Sequence, residues 1–151
     1  MIICGMWLFL IKKIKTGLED ALKTYKFPAQ YSQAQTPNVF ALSLPTGNVL
    51  EKKLYPLVMI EATGATHNAQ IQIATLLLTL GTYKENGGGA VDNLIMAEAV
   101  QNWLTTHKLL GAASMLPDFE FMAVESDSDE FIFSQLLVNY KILKMEENYL
   151  R

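Results

Sequence analysis

The stretch IQIATLLLTLGTY, residues 71–83, decides the fold. Ile71 and Ile73 open it in alternation, and from Ala74 to Leu80 it is apolar on both faces of an extended chain. This predicts one long strand from about Ala69 to Tyr83. A strand apolar on both faces is covered on both. Helices are the expected cover on one side and a neighbouring subunit on the other.

On the N-terminal side lies LYPLVMIE, residues 54–61, a second buried-type strand entered through Pro56. Proline is tolerated at a strand start, where only one ladder donor is lost. Residues Ala62–Asn68 read as the loop between the two strands. Val39–Leu44 is a short strand candidate, and Pro45-Thr46-Gly47-Asn48 signals a turn into a hairpin with Val49 and Leu50. Ahead of these, Ile11, Ile14, Leu18, Leu22 and Tyr25 recur at helical spacing with Lys12, Lys15, Glu19 and Lys23 between them. An amphipathic helix is expected over residues 5–25, stopped by Pro28.

On the C-terminal side, Lys84–Gly89 reads as a glycine-rich turn. A second helix is expected over Ala90–Leu110. Val91, Leu94, Ala97, Val100 and Leu104 mark its core stripe, and Ile95, Ala99 and Trp103 widen it. Asp92 suits the first turn, His107 and Lys108 suit the last, and Gly111 suits the C-terminal cap. Phe119–Glu125 and Phe131–Lys144 close the chain as a hairpin around Ser126-Asp127-Ser128-Asp129. Ile132, Leu136, Val138, Tyr140 and Ile142 share one face of its second strand. The order predicts one α+β domain over residues 1–151, with a core at about 54–144. Its sheet is single, mostly antiparallel or mixed, with helices packed on one face.

Composition narrows the function. The chain has 151 residues, half of them apolar and 18% charged, with net charge −3. That charge argues against direct nucleic-acid binding, which needs a basic face. Low charge content favours a protein that buries surface in an assembly. The charge is also uneven: residues 1–60 hold seven Lys and three acidic residues, residues 61–151 five basic and twelve acidic. Between Lys108 and Lys141 there is no basic residue, while Asp118, Glu120, Glu125, Asp127, Asp129 and Glu130 all occur. The opening run MIICGMWLFLI is followed, not preceded, by lysines, unlike a signal peptide. It is also shorter than the roughly 20 residues of a membrane-spanning helix. It reads as the start of the packed helix, and no membrane association is expected.

No catalytic or cofactor constellation emerges. Gly87-Gly88-Gly89 precedes a helix, but Ala90-Val91-Asp92 replaces the Lys-Ser/Thr of a phosphate loop, and Asp92 repels phosphate. Cys4, His67 and His107 have no metal-ligand spacing, and the single cysteine cannot form an internal disulfide. Glu125, Asp127, Asp129 and Glu130 lack the glycine and terminal glutamate of a calcium loop. An enzyme is therefore not expected, nor a cofactor or metal. Two connections stand as candidate assembly surfaces: Glu85, Asn86, Gly87, Gly88 and Gly89, and the acidic turn with Asp127, Asp129 and Glu130.

The segment Tyr55–Ile142 resembles the tail-terminator, or tail-completion, proteins of long-tailed bacteriophages. Pro56-Leu57-Val58-Met59-Ile60 is similar to their first core strand, and Ile71–Tyr83, ending Leu80-Gly81-Thr82-Tyr83, to their long strand. Gly88–Leu104 resembles their glycine-led helix, with Asp92, Leu94, Glu98 and Leu104 in matching places. Leu116-Pro117 through Glu125 and Phe131–Ile142 resemble the final hairpin. The resemblance implies a subunit of a six-membered ring that caps the tail tube, stops its growth and presents a surface to the head connector. Its partners would be itself, the tail tube protein and a head-connector or neck protein. It would be built in the host bacterial cytoplasm and reside in the virion tail. Two alternatives stand: another neck or tail-completion component, and a small ligand-binding or enzymatic α+β domain using the Gly87–Gly89 loop.

Overall fold

The computed structural model describes residues 2–25, 36–42, 44, 52–67, 71–84, 89–124 and 130–143. Its centre is an antiparallel pair of long strands, β3 (Ile71–Tyr83) and β7 (Phe131–Leu143), in register along all thirteen residues from Ile71↔Leu143 to Tyr83↔Phe131. β2 (Leu57–His67) pairs antiparallel with the other side of β3, and β1 (Asn38–Ala41) runs parallel to β2 at the edge. The far side of β7 is shared: β6 (Glu120–Val124) pairs with Phe133–Leu137, and β5 (Ala113–Met115) with Tyr140–Ile142. β4 (Leu109–Leu110) adds outside β5. The sheet is mixed because of β1 alone, and the fold is α+β.

Both helices lie on one face. α1 (Ile2–Leu22) and α2 (Ala90–Thr106) join a single core with alternate residues of the central strands. Ala74, Leu76, Leu78 and Leu80 of β3 and Leu136, Val138, Tyr140 and Ile142 of β7 point into it, with Val58 and Ile60 of β2. Leu10, Ile11, Ile14, Leu18 and Leu22 fill it from α1. Each such leucine contributes on the order of 1.5–3 kcal/mol by leaving water. The helices approach closely at Gly17, where any Cβ would overlap the Trp103 indole.

Among the described residues, the opposite face is covered at one end by a second cluster of Leu54, Tyr55, Leu57, Tyr83 and Phe131, against which Phe40, Leu44 and Phe133 pack. Tyr55 meets Phe131 edge-on at 5.2 Å between ring centroids. Along the rest of that face Leu77 and its partner Leu137 are half-buried, and Thr75 Oγ1 donates to Asn139 Oδ1 at 2.6 Å. Among the described residues, one side of the centre of β3 is thus fully buried and the other half-buried.

Several elements differ from expectation. α1 ends at Leu22, and Tyr25 is exposed just beyond it, its N–H donating to the Leu22 carbonyl at 3.0 Å. Ala62–Thr66 is strand rather than loop. β2 continues to His67↔Gln72 across an irregularity between Ala62 and Gly64. Its outer part is exposed, so ladder hydrogen bonds hold it without any apolar pattern. α2 stops at Thr106, capped by His107, and Leu109–Leu110 is strand. Gly111 is therefore not a helix cap. It opens the two-residue turn of the β4–β5 hairpin with φ 62°, a conformation glycine adopts without penalty. The expected hairpin around Pro45–Asn48 lies outside the described residues.

The largest correction concerns the inward face of α2. Its buried residues are Asn93, Met96, Ala97, Ala99, Val100 and Leu104. Val91, Leu94 and Ile95, assigned above to the core, are exposed. Asn93 explains the rotation. Its side-chain amide donates to the Leu80 carbonyl at 3.2 Å and the Ile132 carbonyl at 3.0 Å, and its Oδ1 accepts from Ser134 Oγ at 2.6 Å. These bonds turn Asn93 toward the β3–β7 seam and its neighbours Val91 and Leu94 away.

Candidate functional site

The described flanks of the two connections singled out in the sequence, Lys84 and Glu130, lie side by side at one end of the sheet. β3 runs out at Tyr83 and β7 begins at Phe131, its register partner, so the chain leaves toward α2 beside the point where it re-enters from β6. The Lys84 N–H donates to the Glu130 carbonyl at 3.0 Å and ties the two together. Of the candidate residues, Gly89 and Glu130 are described. Glu85, Asn86, Gly87, Gly88, Asp127 and Asp129 lie outside the described residues.

Gly89 is buried and held from two sides. Its carbonyl accepts the Thr82 hydroxyl at 3.0 Å and the Asn93 N–H at 2.9 Å. The Asn93–Ser134 contacts lie directly behind it. The floor of this end is the aromatic cluster: Tyr83 lies 4.7 Å from Phe131 between centroids, and Lys52 stands 5.1 Å over the Tyr83 ring. Hydrogen bonds and ring contacts thus make this end of the sheet a packed platform.

The cysteine and the two histidines belong to different elements. Cys4 lies in α1, His67 ends β2 and His107 caps α2. The His107 ring stacks on Trp103 at 4.5 Å, and its Nδ1 donates to the Trp103 carbonyl at 2.9 Å, which is a capping role. The shallow depression beside it is lined by Thr105, Thr106, His107, Lys108 and Leu109. Among the described residues, no group of three or more His, Cys, Asp or Glu could hold a metal ion, and no helix is long and apolar enough to cross a membrane.

Exposed apolar surface is the feature the sequence did not localise. Val91, Leu94 and Ile95 form an i, i+3, i+4 stripe on the outside of α2, next to the platform. Phe121, Met122 and Val124 stand exposed on β6, which lies open on both faces. Leu8 and Phe9 of α1 and Leu109 of β4 are exposed near the β4–β5 turn, with the Phe9 ring against Gly111. A signal existed for the first of these: α2 carries apolar residues around most of its circumference, and such a helix is covered on more than one side.

Burial raises the pKa of both Tyr55 and Tyr140, and among the described residues the Tyr140 hydroxyl has no hydrogen-bond partner. A folded-state pKa raised above the unfolded one gives stability that is complete below the unfolded value, about 10 for tyrosine, and lost as pH rises above it. Urea midpoints are therefore expected to hold steady to about pH 9 and to fall beyond about pH 10. Tyr140→Phe should lessen that fall without loss of stability at neutral pH, since it removes an unsatisfied hydroxyl.

No family model matches the chain, and no curated protein matches it significantly.

Proposed function

We propose that this chain is a structural, non-enzymatic subunit that closes with copies of itself into a ring, in the manner of a phage tail terminator. The observation that carries the proposal is β6. This strand pairs with β7 on one side, and among the described residues nothing pairs with its other edge. It bears Phe121, Met122 and Val124 in the open, with Glu120 its only charge. Edge strands in monomers are guarded by charge, proline or brevity, and an unguarded apolar edge favours association. A closed assembly covers such surface and stops, whereas an open one grows without limit.

The resemblance over Tyr55–Ile142 supplies the identity of the ring. The order of first strand, long strand, glycine-led helix and closing hairpin accords with a subunit six copies around. One rim would meet the tail tube protein and the other a head-connector or neck protein. Chemistry at the Gly87–Gly89 loop is less well supported, since the adjoining Gly89 carbonyl is engaged in holding α2 to the sheet.

Negative-stain imaging and mass photometry of the purified protein test the proposal. Closed rings with a mass near six times 16.9 kDa are expected. A monomer at every concentration overturns it.

A further inference from the structure

α2 is apolar on two sides, and the chain uses only one of them. The inner side fills the core; the outer side presents Val91 at 65% exposure, Leu94 at 57% and Ile95 at 43%, with Glu98 one turn further on. Three large aliphatic residues side by side in water form the kind of patch that marks a contact surface. α2 contains two charges, Asp92 and Glu98, and no basic residue. Among the described residues, no ion pair engages either acid.

The N-terminal half of α1 has the complementary character. Leu8 and Phe9 are exposed at 47% and 41%, followed by exposed Lys12 and Lys13, and no acidic residue precedes Glu19. Lys15 is already paired with Glu19 within the helix, and Lys23, just beyond its end, with Asp20. Lys12 and Lys13 are in no ion pair among the described residues, and Lys13 lies over the Phe9 ring at 5.5 Å.

The two patches cannot cover each other within one chain. The α2 patch begins beside Gly89, whose neighbours include Ile132 of β7. The α1 patch sits by Gly111, whose hairpin pairs with Ile142 at the other end of the same strand. Ten residues of strand separate Ile132 from Ile142, roughly 30 Å. Contact of α2 with α2 across a two-fold axis would set acid against acid. Contact of α2 with the α1 of another copy sets aliphatic residues against Leu8 and Phe9, and acids against lysines.

We propose that the outer face of α2, formed by Val91, Leu94, Ile95 and Glu98, docks on the Leu8, Phe9, Lys12 and Lys13 face of α1 in the next copy. The contact joins two different patches, so it repeats head to tail and generates a ring when the rotation closes. Apolar burial supplies the affinity, and the opposite charges set register and association rate. The interface presupposes the ring proposed above and identifies its joint.

Mass photometry across a dilution and salt series tests the contact, with circular dichroism to verify the fold. Leu94→Glu, at an exposed site, should leave the fold intact and raise the concentration needed for assembly about tenfold or more. Glu98→Lys and the pair Lys12→Glu with Lys13→Glu should each weaken assembly, and combining all three should restore it. Assembly of Leu94→Glu at wild-type concentrations overturns the contact while leaving the ring standing. So does a combined charge variant no better than its parents. A wild-type chain that stays monomeric at every concentration overturns both the ring and its joint.

Discussion

Leu136→Asp is expected to abolish soluble folding. Leu136 is fully buried and pairs directly with Leu78, also fully buried, across the β3–β7 ladder at the middle of the core. An aspartate there loses the leucine's burial and must either carry an unpaired charge into an apolar site or stay protonated at a large cost. The combined loss is about 4 kcal/mol or more, comparable with the whole stability of many domains. The adjacent Leu137 points to the opposite face and is only half-buried. Leu137→Asp should therefore cost far less and remain soluble. Soluble yield and urea midpoints of the two variants, expressed side by side, check this. Equal behaviour would contradict the alternation of β7.

The second large effect is expected at Asn93. Asn93→Ala removes the donor to two strand carbonyls and the acceptor of the Ser134 hydroxyl, all at a residue only 2% exposed. Each buried group left unpaired costs on the order of 1–3 kcal/mol, so a total loss of about 3 kcal/mol is expected. Hydrogen exchange should locate the loosening at the start of α2 and around Gly89, because Asn93 fastens that end of the helix to the seam. Asn102→Ala, at an exposed site of the same helix, is the control and should change the midpoint little. An Asn93→Ala variant as stable as wild type would mean that packing alone sets the rotation of α2.

These two sites differ in how readable they were. The burial of Leu136 follows from strand periodicity, because side chains on a strand alternate between faces and one face must leave water. Leu78 lies in a stretch apolar on both faces, and its pairing with Leu136 sets the face it takes. Asn93 was invisible to that logic. A polar residue within an apolar helix ordinarily faces solvent, and nothing local reveals that two strands far along the chain will offer it carbonyls. The same ambiguity misplaced Val91 and Leu94. A helix with two apolar sides has two orientations of similar local merit, and the choice between them is made by partners elsewhere in the chain.

Boundaries failed for a related reason. Ala62–Thr66 looked like a loop because exposed strand residues need no apolar alternation when a neighbouring strand supplies the hydrogen bonds. Leu109 and Leu110 extended the helical pattern by composition, yet Gly111 at φ 62° and the free edge of β5 made them a strand. Glu130 and Gly89 could be named from sequence as parts of two connections. That their flanks Lys84 and Glu130 lie side by side depends on the pairing of Tyr83 with Phe131.

The sequence by itself determined the α+β class, the two helices, the long central strands and the inward residues of β7. Those features rest on period and turn chemistry, which act between near neighbours in the chain. Only the tertiary structure decided the parallel placement of β1, the rotation of α2, the closeness of Lys84 to Glu130 and the surfaces left apolar and exposed. Each of these depends on contacts between residues distant in sequence, where backbone hydrogen bonding and the exclusion of water select one arrangement among several that local preference leaves equal.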